Sequence, residues 1–186
     1  INTTSAVGLY GNFGQANYST AKSGILGLTQ TLAVEGERNN ILANTIAPNA
    51  GTAMTATIWP QEMVDAFKPD FVAPLVAYLG SNECECTKSL FEVSGGWIAA
   101  VRWERSGGCA FSTARPVTPE LITKKCARIT DFDPERASWP AAPSESLGDM
   151  ISNFGNEEPA DDAEDFVDPE DTRASKEAKH TDEASP

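Results

Sequence analysis

Residues 1–22 read INTTSAVGLYGNFGQANYSTAK. The run from Ile1 to Thr4 is apolar and β-branched and closes on a serine, which predicts a buried strand that ends at Ser5. Tyr18 follows thirteen residues later and Lys22 four after that. Both fall at the start of a long predicted helix, where i, i+4 spacing places them on one face, a turn apart. The intervening AVGLYGNFGQAN, with glycines at 8, 11 and 14, reads as a loop able to fold back so that Ser5 approaches Tyr18.

Three roles follow if these side chains meet. The carboxyl end of a strand is the edge at which open α/β sheets bind ligands. A phenol is ordinarily a poor acid or base near neutrality, but an ammonium about 4 Å away is worth up to about 4 kcal/mol at an effective dielectric of about 20. That attraction favours the phenolate, and a nearby helix amino terminus adds a smaller push in the same direction. A serine hydroxyl can then hold a carbonyl or alcohol oxygen while the tyrosine exchanges a proton, which is general acid-base catalysis with an orienting partner. Taken alone, Tyr-x3-Lys is a weak signal, because the same pair decorates many solvated helices. The strand-end serine, the loop and the NTIAPNAGT that follows the next strand make it specific.

The rest of the chain supplies the frame. Further strands are predicted at Ile41–Ile46 and Leu90–Val93, with helices at about Ala16–Glu37 and Val72–Leu79. The alternation is α/β with a parallel sheet. The long helix carries apolar residues at Ala21, Ile25, Leu28 and Leu32, with Leu26, Ala33 and Val34 on a neighbouring stripe, so two covered sides are expected. The excursion from Thr52 to Pro69 holds Met54, Ile58, Trp59, Met63 and Phe67, suited to capping a substrate or to core packing, and Pro60 can open a short helix. Beyond the third strand, Thr118 and Pro119 signal a helix start. Leu147, Met150, Ile151 and Phe154 give another helix its i, i+3, i+4, i+7 stripe, closed by Gly155.

Composition bounds the partners. At 186 residues the chain is long enough for one domain with a proper core. Residues 1–130 hold ten Lys and Arg against ten Asp and Glu, and residues 131–186 hold four against seventeen, so the net charge of −13 belongs to the last third. No basic stripe interleaved with aromatics argues for nucleic acid, and no apolar run approaches the roughly 18 to 20 residues of a membrane span. Cys84, Cys86, Cys109 and Cys126 read as reduced thiols, and no metal site is expected: Cys84 and Cys86 are too close for a C-x2-C pair and the single histidine is His180, in the acidic tail.

With Ser5 and Tyr18-x3-Lys22 in place, the chain resembles the short-chain dehydrogenase/reductase family. Residues 1 to about 96 look like the carboxyl-terminal half of that Rossmann-like fold, its last three strands. The resemblance implies that Ser5 positions the substrate, that Tyr18 is the catalytic acid/base, and that Lys22 promotes its ionisation and binds the nicotinamide ribose. It also implies that Pro48, Asn49, Ala50, Gly51 and Thr52 line the nicotinamide and its carboxamide. Many members have Gly where Asn49 stands, which leaves the path of that loop open. The stretches APNAGTAMT, VAPLVAYL and FEVSGGWIAAVRWERSGG extend the likeness to the dehydrogenase part of the fungal peroxisomal multifunctional β-oxidation enzyme, over about residues 1–130.

What the resemblance implies is an oxidoreductase that transfers hydride between (3R)-hydroxyacyl-CoA and NAD, in a peroxisome, as part of a larger enzyme. An NADPH-dependent 3-ketoacyl reductase is the alternative within the class. An inactive fragment or interaction module is the alternative outside it. A homodimer, or pairing with a sister dehydrogenase unit, is expected through the long helix. The peroxisomal setting comes from the family alone, because the sequence ends DEASP and not in a signal of the S-K-L type. Ile1 reads as the interior of a strand, so an amino-terminal part carrying the Gly-rich phosphate turn is expected upstream. GLYGNFG, spaced GxxGxxG, belongs to the loop beside the active site and not to a phosphate cradle. The expected organisation is a partial dehydrogenase domain at 1–96, a helical extension at 97–155, and a disordered acidic tail or linker at 156–186, where twelve Asp and Glu face three Lys and Arg.

Overall fold

The computed structural model describes residues 1–159 and residue 161. The chain divides into two compact units, Ile1–Arg102 and a second from Trp103 onward. The first is an α/β unit around a four-stranded sheet in the order β1 (Asn2–Thr3), β2 (Thr45–Pro48), β3 (Leu90–Ser94), β4 (Trp97–Val101). The first three strands are parallel, with Thr3 opposite Ile46 and Ala47 opposite Glu92, and β4 returns antiparallel on β3 with Ser94 opposite Trp97. The connecting helices are α1 (Ala6–Tyr10), α2 (Ala16–Gly36), α3 (Gln61–Ala66) and α4 (Ala73–Leu79).

β4 adds a strand to the three that the sequence predicts. Gly95 and Gly96 both have positive φ, 52° and 84°, which is what a two-residue hairpin turn matched to strand twist requires. β2 begins at Thr45, not at the expected Ile41. The chain from Asn40 to Asn44 is occupied in closing α2: Asn40 turns left-handed at φ 54° and the Ile41 amide donates to Gly36 O at 3.0 Å. Asn44, fully buried, then gives Nδ2 to Cys86 O at 2.6 Å and accepts from Ser89 N at 3.1 Å.

Alternation along the strands splits the core between two faces. Ile46 and Val93 pack against Leu75 and Leu79 of α4, with Cys84 serving as a small apolar filler. Ala47 and Leu90 pack on the other face against Leu26 of α2, backed by Leu9 and Val101. α2 turns Leu26, Thr29, Ala33 and Gly36 to this core, whereas Leu28, Leu32 and Val34 stand exposed at 55%, 41% and 57%. Only one of its two apolar sides is therefore covered within this unit.

In the second unit, α5 (Pro119–Ile129) starts where expected, with Thr118 Oγ1 accepting from Leu121 N at 3.3 Å. α6 (Pro143–Ser152) follows, its Leu147, Met150, Ile151 and Phe154 stripe exposed. The Arg105 guanidinium ties Ser138 to α6 through Ser146 O at 2.9 Å and the Asp149 carboxylate. Most of the expected acidic tail, His180 included, lies outside the described residues. Of its described part, the Asn156 and Glu157 carbonyls accept from Thr113 N at 2.9 Å and Ser112 Oγ at 2.5 Å. Asp161 accepts from Arg128 Nε and Nη2, at 3.1 and 2.9 Å, and from Ala110 N at 3.2 Å.

Burial pushes the Asp161 carboxyl up, but the Ala110 amide, the Arg128 hydrogen bond and the charges of Arg128 and Arg136 outweigh it and hold it below the ordinary carboxylate range. A carboxyl depressed by folding stabilises the native state above its unfolded value, about 3.9 for Asp, and the contribution vanishes as the pH falls through the depressed one. Asp161→Asn is therefore expected to cost about 1–2 kcal/mol near neutrality. Thermal unfolding of the variant and the parent against pH should show curves that converge below about pH 4, and a constant gap across that range would contradict this account.

Candidate active site

The site forms where α2 crosses the carboxyl end of β1, and both ends of Lys22 are tied there. Its Nζ donates to Thr3 O at 3.1 Å, and its backbone carbonyl accepts from the buried Thr4 hydroxyl at 2.6 Å. Thr4 directly precedes Ser5, so the strand-end serine is held beside the helical turn that carries the lysine. Within that turn Lys22 Nζ lies 5.7 Å from the Tyr18 ring centroid. Tyr18 is 41% exposed.

The segment expected to be a plain loop is partly helical. Ser5 caps α1, its Oγ accepting from Val7 N at 3.2 Å, and serine is among the preferred residues for that position. Because Oγ is used as an acceptor, the hydroxyl hydrogen remains available to a substrate oxygen. Ser5 and Tyr18 are not hydrogen-bonded to each other, and such catalytic contacts often close only around a substrate.

α1 lies directly on α2. Ser19 Oγ donates to Val7 O at 3.0 Å and Ser23 Oγ to Gly8 O at 2.5 Å. A Cβ on Gly8 would come within 2.7 Å of Lys22 Cβ and 2.9 Å of its carbonyl carbon, so glycine is what lets the two helices close over the lysine. Gly11 and Gly14, at φ 77° and 75°, then turn the chain back into α2. The sequence singles out Gly8 as a loop glycine and not as a packing one, and it gives no local signal for the roles of Thr4, Ser19 and Ser23; a Ser cap before a short helix is legible at Ser5.

The Pro48–Thr52 loop begins at the last residue of β2, on the same sheet edge. Asn49 N donates to Val93 O at 3.0 Å and Asn49 O accepts from Ser94 Oγ at 2.8 Å, so β3 grips the loop from both sides. Asn40 and Lys88 are the non-glycine residues with positive φ among the described residues. Asn49 therefore fits without strain where many family members carry Gly. Ala50 O accepts from Thr55 Oγ1 at 3.0 Å, and Thr52 N donates to the same hydroxyl at 2.7 Å. Gly51 N reaches Phe67 O at 2.6 Å. Beyond the loop, Phe67 meets Trp59 edge-on at 5.7 Å, whereas Met54 and Ile58 stand 82% and 78% exposed. Part of the excursion thus packs internally and part faces outward.

One further long-range bond reaches this region. Tyr10, the last residue of α1, donates Oη to Glu92 Oε2 of β3 at 2.9 Å. The hydrogen bond to Glu92, then burial and the carboxylate's charge, hold the Tyr10 phenol above its ordinary range, so it remains a neutral donor.

Residues 1–63 match the family model described as short chain dehydrogenase. The chain is 52% identical over 158 residues to the peroxisomal hydratase-dehydrogenase-epimerase of Neurospora crassa, covering 84% of this chain and 18% of that one. It is 40% identical over 108 residues to the human (3R)-3-hydroxyacyl-CoA dehydrogenase, covering 52% and 41%. The solved structure of full-length peroxisomal multifunctional enzyme type 2 from Drosophila melanogaster superimposes with a TM-score of 0.72 at 38% identity, over 81% of this chain and 27% of that one. The chain thus spans less than half the length of each of these relatives. A strand-end serine, a Tyr-x3-Lys helix laid across it and a sequence match over residues 1–63 together mean that this chain belongs to the short-chain dehydrogenase family.

Proposed function

We propose that the chain supplies the substrate-facing part of a dehydrogenase that oxidises (3R)-hydroxyacyl-CoA to the 3-ketoacyl-CoA with NAD, within a larger peroxisomal enzyme. The observation that carries this reading is the double anchoring of Lys22 at the end of β1, which gathers Ser5, Tyr18 and Lys22 at one strand end. The names and identities of the relatives support the acyl-CoA substrate and the peroxisomal setting.

The residues at the sheet edge fit a nicotinamide. Lys22 spends one ammonium hydrogen on Thr3 O and keeps the others for a phenolate and ribose hydroxyls. The Pro48–Thr52 loop is fixed by β3 and by Thr55 before any ligand arrives, which is the preorganisation that positioning chemistry needs. A nicotinamide held there supplies the hydride acceptor. Ser5 donates its hydroxyl hydrogen to the substrate's C3 oxygen and orients the alcohol. Tyr18 accepts the alcohol proton as the C3–H bond breaks, with the Lys22 ammonium beside it as its electrostatic partner. In the reverse direction the same phenol returns that proton to a ketone. The uncovered side of α2, with Leu28, Leu32 and Val34 exposed, fits pairing with a second dehydrogenase unit.

The test uses the protein that carries this sequence, assayed with (3R)- and (3S)-hydroxyacyl-CoA and with NAD or NADP. Oxidation of the (3R) substrate with NAD is expected, with at least about a hundredfold preference over (3S), as befits a site whose polar groups go unpaired on the wrong isomer. Equal use of both isomers, or turnover confined to NADPH-dependent ketone reduction, would overturn the assignment.

A further inference from the structure

α1 has five residues, too few to be stable without tertiary support, yet it begins at the serine assigned to the substrate. Its position is therefore set by what ties it down. At its start, Thr4 bonds to Lys22 and Ser5 forms the cap. Along its length, Ser19 and Ser23 hold Val7 and Gly8 to α2. The bonds from Thr4, Ser19 and Ser23 join α1 to α2, whereas the cap lies within α1 itself. The bond from Tyr10 to Glu92, 82 residues away in sequence, joins it instead to β3.

β3 is also the strand that holds the Pro48–Thr52 loop. Glu92 lies opposite Ala47, the residue before Pro48, and the next two residues, Val93 and Ser94, bond both sides of Asn49. One strand thus fixes the far end of the serine's helix and the near end of the candidate nicotinamide loop. A phenol donating to a carboxylate is charge-assisted and stronger than a neutral pair, which suits a single bond at an otherwise exposed helix end.

We infer that Tyr10 and Glu92 are positioning residues, a clasp that sets α1, and with it Ser5, at a fixed distance from the cofactor loop. The inference rests on the proposed dehydrogenase reading for its kinetic consequence, but not for its structural one. Neither side chain is assigned a contact with substrate, and Leu9, one residue earlier, already anchors the same end of α1 in the core, so loss of the clasp loosens the helix without unfolding it.

The test is a set of variants in the protein that carries this sequence. Tyr10→Phe keeps the ring and removes the donor, Glu92→Ala removes the acceptor, and Glu92→Gln keeps an acceptor oxygen. Turnover with the (3R) substrate is expected to fall about three- to tenfold in Tyr10→Phe and in Glu92→Ala, the range of one lost hydrogen bond. KM for NAD should stay within about twofold, because the Asn49 bonds come from other residues. Glu92→Gln should recover to within about twofold of the parent, and the double variant Tyr10→Phe/Glu92→Ala should be no worse than either single one. Amide hydrogen exchange at residues 7–11, read without any turnover, should quicken by a similar factor in Tyr10→Phe and Glu92→Ala and not in Glu92→Gln. Unchanged kinetics in Tyr10→Phe, losses that add in the double variant, or unchanged exchange would overturn the clasp. A parent protein with no dehydrogenase activity would instead overturn the functional reading, and the exchange measurement would still decide the clasp.

Discussion

Tyr18→Phe is expected to lower turnover with the (3R) substrate by about 10²- to 10⁴-fold, the usual worth of a positioned general base, while NAD affinity changes by less than about threefold. The substitution removes one oxygen from a side chain that is 41% exposed and whose ring stays available to the Lys22 ammonium at 5.7 Å. Stability should therefore move by no more than about 0.5 kcal/mol, as for surface changes away from special features. Steady-state rates, calorimetric NAD binding and a thermal midpoint, taken together, separate the chemical role from a structural one. A variant that keeps near-normal rates would take the proton-transfer role from Tyr18, whatever the arrangement around Lys22.

That arrangement also explains why the candidate trio of Ser5, Tyr18 and Lys22 needs so much support. Ser5 and Lys22 sit on different elements, and a helix laid across a strand end can slide unless it is bonded at the crossing. Here the crossing carries Thr4 to Lys22 O, Lys22 to Thr3 O and, about two turns along, Asn2 Nδ2 to the buried Thr29 hydroxyl at 2.9 Å. Side-chain hydroxyls at Thr4, Ser19, Ser23 and Thr29 make this seam. Each is small enough to let the backbones approach and polar enough to bond what approaches.

Much of this was legible in the residues, and the part that was not has identifiable causes. Strand-helix alternation and Tyr18-x3-Lys22 were readable because periodicity and spacing are local. The start of β2 was misplaced because Ile41 and Leu42 look like strand, yet the chain spends them on closing α2 through Gly36 and a left-handed Asn40. α1 was read as loop because its glycines at 8 and 11 suggest flexibility. Gly8 instead provides room against Lys22, and Gly11 ends the helix. β4 lies beyond the three strands that the strand-helix alternation predicts, although Ser-Gly-Gly-Trp carries a hairpin signal. The Tyr10 to Glu92 bond was beyond reach, because nothing local relates residues 82 positions apart.

Gly51 offers the second large effect. Its φ is not positive, so left-handed backbone is no part of its role; the constraint is space. A Cβ there would lie 1.9 Å from Val64 O and 2.7 Å from both the carbonyl carbon and Cα of Val64. These are backbone atoms of α3, which no rotamer change can clear, and the Gly51 amide is already committed to Phe67 O at 2.6 Å. In Gly51→Ala either α3 or the loop must move. Asn49 and Ala50 are held on the other side by Ser94 and Thr55, so the displacement strains a loop fixed at both ends. Overpacking of this kind costs about 1–3 kcal/mol, and a shift of about 1 Å at a positioning element can cost about a hundredfold in rate. We expect a lowered thermal midpoint, a KM for NAD raised by at least about tenfold, and a smaller change in KM for the acyl-CoA, whose C3 oxygen is assigned to Ser5 and Tyr18. Should Gly51→Ala leave NAD affinity untouched while stability drops, the loop from Pro48 to Thr52 would be a structural corner of the sheet edge and the nicotinamide would have to be sought elsewhere along it.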